Sequence, residues 1–198
     1  MLILVRHGES TGNADGLLVG RIDAPLTERG LTQAQALAPW VAGATRLISS
    51  PLGRARATAE ALATGLPVEI DDRWAEVDYG EFDGRPLGSV PADVWASWRS
   101  DPDFRPPGGE TLAEAGARVR AACGELFATE DDGARGAEPV VVVSHVSPIK
   151  AATCWALGLG DQGAWRLYLA TASMTRIGWG VDGPVLNRFN ETPWSDPG

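Results

Sequence analysis

Leu2-Ile3-Leu4-Val5-Arg6-His7-Gly8-Glu9 carries four consecutive apolar residues into a charged, glycine-containing turn. A run this short, bounded this way, makes a buried strand. Beyond it a Gly-rich loop runs through Pro25, and an amphipathic helix is predicted from about Thr27, a good N-cap residue, to Val41. Arg46 to Ser49 reads as a second strand, and Leu52 to Ala63 as a helix directly after it. Strand, loop, helix, strand, helix is an order that builds a parallel sheet.

The same reading extends along the chain. Val68 to Ile70 is a further candidate strand, and residues 71–109 are Pro- and Gly-rich, irregular apart from a short helix around Ala92 to Trp98. That segment is the expected lid or specificity region. Leu112, Ala115, Val119, Cys123 and Leu126 recur at helical spacing, before an acidic loop, Glu130 to Glu138, expected to be solvated. Val140 to Val143 is an unbroken β-branched run, the signature of a strand covered on both faces. Ser147 with Pro148 then reads as the start of a helix running to about Leu157, and Trp165 to Phe189 alternates like short strands.

Bulk properties bound the function. At 198 residues and 44% apolar content, one domain spanning 1–198 with a substantial core is expected. The eight Trp read as packing residues. Cys123 and Cys154 have no CxxC partner, so buried thiols in a reducing compartment are expected. The apolar run from Met1 stops at Arg6, too short for a signal-peptide core or a membrane span, which points to a cytoplasmic protein. A net charge of −9 argues against nucleic acid and anionic membranes as partners, yet leaves an anionic small molecule open. All the basic residues but Lys150 are Arg; this fits a GC-rich genome as well as phosphate recognition by guanidinium forks. An exposed edge among the C-terminal strands leaves a homodimer open.

The chain has two histidines, and each follows a hydrophobic strand: Val5-Arg6-His7 and Val143-Ser144-His145. Ligands in open α/β sheets bind at the carboxyl ends of parallel strands, so two adjacent strands would aim both imidazoles into one pocket. One such histidine has a plain structural reading. Two at equivalent positions weaken it. Ser49-Ser50-Pro51-Leu52-Gly53-Arg54 is a third strand-to-helix junction, placing Arg54 at a helix N-terminus, where it is either a solvated side chain or part of an anion site.

These pieces resemble the histidine phosphatase superfamily, the phosphoglycerate-mutase-like group whose members carry the Arg-His-Gly motif. The resemblance rests on Arg6-His7-Gly8-Glu9 with Asn13, Pro25-Leu26-Thr27-Glu28-Arg29-Gly30, the Ser-Pro-Leu-x-Arg-Ala-x-x-Thr-Ala run containing Arg54, Glu76 within the stretch to Gly84, Gly108-Gly109-Glu110, and Val143-Ser144-His145, all in the family's order. It implies a three-layer α/β sandwich with a central, mostly parallel sheet flanked by helices. It also implies a phosphomonoester as substrate, a phosphohistidine on His7, oxygen binding by Arg6, Arg54 and His145, a hydrogen bond from Asn13, and Glu76 as general acid and base. Nearby Arg6 and Arg54 should keep His7 uncharged, and a phosphate anion should favour a proton on Glu76. No metal or cofactor is implied, and two histidines without HExxH or paired ligand spacing equip the chain poorly for a dinuclear site.

Two departures matter. Many members have Gly after the second histidine where this chain has Val146, although the Ser147-Pro148 helix start should still present free amides to phosphate. Mutases of the superfamily generally carry Arg where Val77 stands, Lys where Leu87 stands and Thr where Val19 stands. The resemblance therefore favours a phosphatase, with a cofactor-dependent phosphoglycerate mutase as the alternative if Arg85, Arg99 or Arg105 substitutes for the missing cations.

Overall fold

The computed structural model describes residues 1–128 and 139–193. The predicted acidic loop lies outside the described residues. In chain order the elements are β1 (Leu2–Arg6), α1 (Thr11–Ala14), α2 (Glu28–Ala36), β2 (Arg46–Ser49), α3 (Gly53–Ala61), β3 (Val68–Ile70), α4 (Ala92–Ser100), α5 (Leu112–Ala128), β4 (Val140–Ser144), α6 (Val146–Ala156), β5 (Met174–Gly180) and β6 (Gly183–Glu191). The six strands form one sheet in the order β3-β2-β4-β1-β5-β6. The β3-β2-β4-β1 part is parallel, while β5 and β6 continue it antiparallel.

Period-two alternation divides the core between the sheet's faces. Leu2 and Leu4 join Ile48, Val142 and Ile177 against Val119 and Cys123 of α5 and Ile149 of α6. Ile3 and Val5 join Leu47, Val141, Val143 and Met174 against Ala55 and Ala59 of α3. Three layers result, and β1 and β4, buried on both sides, have no polar face to show. Each such Leu or Val contributes roughly 1.5–3 kcal/mol by leaving water. Cys123 and Cys154 are buried free thiols. Among the described residues no helix is long and apolar enough to cross a membrane.

Two helix boundaries differ from expectation. α2 stops at Ala36, not Val41, because Pro39 has no N–H to continue the ladder; the chain tightens into a 3-10 turn at Ala38–Trp40, keeping Leu37 and Val41 in the core. α6 begins at Val146 with His145 as its N-cap residue, two positions before Ser147. Trp165 sits in a 3-10 turn, Asp161–Arg166, and not in a strand. Within 71–109, 3-10 turns and α4 build a separate apolar cluster in which Leu18, Phe82, Val90 and Trp98 are buried, with Trp95, Phe104 and Trp165 packed on them. Trp74 is fully buried in the main core, so most of the indoles described do pack.

Candidate active site

β1 and β4 lie side by side and parallel, with Arg6 opposite Ser144, so the residues that follow leave the sheet at one edge. The His7 and His145 rings stand with centroids 5.0 Å apart. β2, on the far side of β4, delivers Ser50 and the start of α3 to that edge. The Gly8 turn is held by close approach: a Cβ on Gly8 would meet the Gly30 carbonyl oxygen at 2.2 Å, and one on Gly30 would meet the Glu9 oxygen at 2.0 Å. Thr27, capping α2, accepts from the Gly30 amide and donates to the Glu9 carboxylate. Two of the quoted motifs are therefore one contact.

The partners of His7 define its tautomer. Nδ1 lies 2.7 Å from the Gly8 carbonyl oxygen, which only accepts, so Nδ1 carries the proton. Nε2 receives the Arg54 Nε–H at 3.3 Å, so its lone pair points outward toward the guanidinium. Arg54 in turn donates from Nη2 to the Gly20 carbonyl at 2.7 Å and from Nη1 to the Ile22 carbonyl at 3.1 Å. That loop is itself fastened: Asp83 accepts the amides of Gly20, Arg21 and Ile22 at 2.7, 2.7 and 2.9 Å. Arg6 donates from Nη1 to the Leu169 carbonyl, and His145 Nε2 pairs with Ser50 Oγ at 2.7 Å. Arg6 Nε and His145 Nδ1 are buried without hydrogen-bond partners among the described residues. Two buried nitrogens with unused hydrogen-bonding capacity at one strand edge suit an anion site.

Glu76 reaches the edge from the long segment. Its carboxylate accepts the amides of Val77 at 2.8 Å, Val146 at 3.1 Å and Ser147 at 3.2 Å. The first amides of α6, expected to be free for phosphate, are thus turned toward Glu76, which explains why α6 starts early and Ser147 does not cap it. Behind Glu76, Glu110 pairs with Arg118 through both oxygens, and Arg118 donates to the carbonyls of Arg73 and Glu76. Asn13 sits at the third position of α1, where its side-chain oxygen accepts the Ser10 amide in a capping box, leaving its NH2 as the end that can donate elsewhere.

His7, Arg54, Glu76 and His145 are all at most 3% exposed. Burial pushes His7 well below the usual histidine value, ahead of repulsion by Arg6 and Arg54; the two guanidiniums alone, as expected from sequence, are the lesser cause. His145 is lowered by burial and then by His7 and the arginines. Arg6 is pushed down to about 10 by burial, against the pull of Glu76, and stays charged at neutral pH. Burial also lowers Arg54. Because both imidazoles are lowered on folding, the stability they confer is present above the usual value of 6.5 and is lost as pH falls. Denaturant titrations between about pH 7.5 and 5.5, above the carboxylate range, should show nearly two protons taken up on unfolding. His145→Gln should remove one of them. A flat profile would mean the histidines are charged in the folded chain.

Next to Glu76 opens a cavity of about 140 Å³, lined by Leu18, Tyr79, Trp95, Trp98, Val146 and Lys150 among others. The Tyr79 and Ser147 hydroxyls hydrogen-bond at 3.3 Å. Trp95 and Trp98 therefore both pack and line. Arg85, Arg99 and Arg105 do not line it: Arg85 lies over Phe82, Arg99 over Trp95 and Trp165, and Arg105 pairs with Glu114.

The structure brings together His7, Arg6, Arg54, His145 and Glu76. Sequence reading missed Asp83, Arg118, Ser50 and Lys150; Asp83 and Ser50 stood inside quoted motifs, but only contacts distant in sequence give them a role. Comparison with known proteins agrees with the geometry. A probable phosphoglycerate mutase, GpmB, of Yersinia pestis is 34% identical over 96% of this chain and 86% of its own. The mycobacterial glucosyl-3-phosphoglycerate phosphatase structure, complexed with VO3, superposes with a TM-score of 0.84 at 32% identity over 96% of this chain and 98% of that one. A phosphoserine phosphatase mutant of Entamoeba histolytica, in complex with phosphoserine, gives 0.85 at 27% identity, covering 96% of each chain. The family model of the histidine phosphatase superfamily (branch 1) matches residues 2–192, and with a paired-histidine strand edge beneath that match, the chain belongs to this superfamily.

Proposed function

We propose that the chain is a metal-independent phosphomonoester hydrolase working through a phosphohistidine on His7. The observation that carries this reading is the His7 Nε2 lone pair, kept unprotonated by burial and facing Arg54, at a strand edge where Arg6 Nε and His145 Nδ1 are buried without partners among the described residues. Nε2 attacks phosphorus, and the bond to the leaving oxygen breaks as Glu76 delivers a proton to it. Arg6, Arg54 and His145 meet the charge on the non-bridging oxygens, and Asn13 adds its NH2. Water then attacks the phosphohistidine, Glu76 takes its proton, the phosphorus–nitrogen bond breaks and phosphate leaves. Among the described residues no three His, Cys, Asp or Glu side chains group to hold a metal ion. The buried free thiols suit a reducing cytoplasm.

The 34% identity to a probable phosphoglycerate mutase favours a second reading, transfer back to a substrate hydroxyl. Against it, the positions where mutases of the superfamily carry cations hold a buried Val77 and an exposed Leu87. A phosphomonoester panel with and without chelator, plus a mutase assay containing bisphosphoglycerate, separates the two. Chelator-resistant release of inorganic phosphate is expected. Isomerisation outpacing phosphate release would favour the mutase.

A further inference from the structure

Val146 and Ser147 do two things at once: their amides hold the Glu76 carboxylate, and their atoms line the neighbouring cavity. The cavity is therefore the space beside Glu76 in which the carbon skeleton of a leaving alcohol can lie. At about 140 Å³ the space matches a six-carbon ring or smaller, close to the ~150 Å³ that holds benzene. Its walls are mainly indole and alkyl surface, and no Asp or Glu lines it. One group does not fit an apolar lining. Lys150 is four residues beyond Val146, one helical turn along α6, and so shares its face. It is half-buried, yet among the described residues it forms no hydrogen bond or ion pair. Burial lowers its pKa and repulsion by Arg6 adds to that, against the pull of Glu76, already held by three amides, and of Cys154. A partly desolvated cation without a partner costs free energy that a ligand anion would recover.

Resting on the phosphatase reading, we propose that Lys150 is the specificity-determining residue, pairing with a carboxylate on a small leaving alcohol. Preferred substrates are then phosphate esters of small hydroxy acids, with the ester oxygen at Glu76, the carbon skeleton against Trp95, Trp98 and Val146, and the carboxylate at Lys150. This cation reaches the alcohol from α6, whereas the substitutes considered from sequence lie in residues 71–109.

The test uses a matched pair, 3-phosphoglycerate and glycerol 3-phosphate, in which CH2OH replaces the carboxylate. Wild-type kcat/KM should favour the acid by about tenfold or more, the worth of a charged hydrogen bond. In Lys150→Met that preference should collapse toward unity, chiefly through a higher KM for the acid; any general damage to the fold cancels in the ratio. Lys150→Arg should keep most of it. A preference that survives Lys150→Met, or a wild-type ratio near one, overturns the assignment. Turnover of p-nitrophenyl phosphate but of neither partner overturns it while leaving the phosphatase reading standing. Turnover of none of the three overturns both.

Discussion

His7→Ala should lose turnover of every phosphomonoester by about 10⁴-fold or more, the scale on which covalent catalysts fail without their nucleophile. It should also lose acid-labile phosphate labelling of the protein. The expectation rests on His7 presenting the Nε2 lone pair that faces Arg54, while neighbouring groups are engaged in the frame. His145, the only other imidazole, sits with Nε2 tied to Ser50 Oγ. The serines near it donate or accept within the frame: Ser144 Oγ donates to the Trp74 carbonyl, and Ser49 Oγ to that of Ser50. Removing the ring deprives Gly8 O of its donor and Arg54 Nε of its acceptor, so His7→Asn, which can still donate to Gly8 O, is the companion variant. Both variants should be inactive with native circular dichroism. A rate near wild type, or label that persists, would place the nucleophile elsewhere.

Glu76→Ala should divide substrates by leaving group. An alkyl phosphate expels a strongly basic alkoxide and needs a proton, whereas p-nitrophenolate leaves almost unaided, so the phosphorylation step should slow by about 10³ for the first and far less for the second. Steady-state rates obscure this, since in the proposed mechanism Glu76 also serves the water step common to both. The decisive measurement is a single turnover: p-nitrophenyl phosphate should give a fast release of p-nitrophenolate followed by slow release of phosphate, and the alkyl ester no fast phase. Loss of the carboxylate leaves three amides without their acceptor, those of Val146 and Ser147 at a helix N-terminus and that of Val77 in the loop. Equal single-turnover losses for both esters would remove Glu76 from the proton path.

How much of this was legible beforehand follows from the range of the interactions. β1 and β4 announce themselves because a strand covered on both faces must be apolar throughout, and the histidine after each is read by adjacency. Thr27 is legible as a cap because its partner, the Gly30 amide, is three residues away. Ser147 looked like a cap by the same local rule, but its amide goes to Glu76, 71 residues earlier, and a tertiary partner outranks a local preference. Glu76 itself could be singled out only through family likeness, since nothing in an acidic stretch marks which carboxylate the fold will draw inward. Arg118 is the same case at greater remove. It sits on a regular helix face and gains its role from Glu110 and the Glu76 carbonyl.

The clasp of Asp83 on the loop at Gly20 to Ile22 bears on how such an enzyme can be re-engineered. Residues 71–109 look like a module to exchange when a different alcohol is wanted, yet one carboxylate within them ties down the two carbonyls that seat Arg54. Substrate choice and phosphate chemistry are therefore not separable cassettes in this fold. A graft that omits an acid at position 83 frees three amides and unseats the guanidinium, and it would be slow on every substrate before its new preference could be seen.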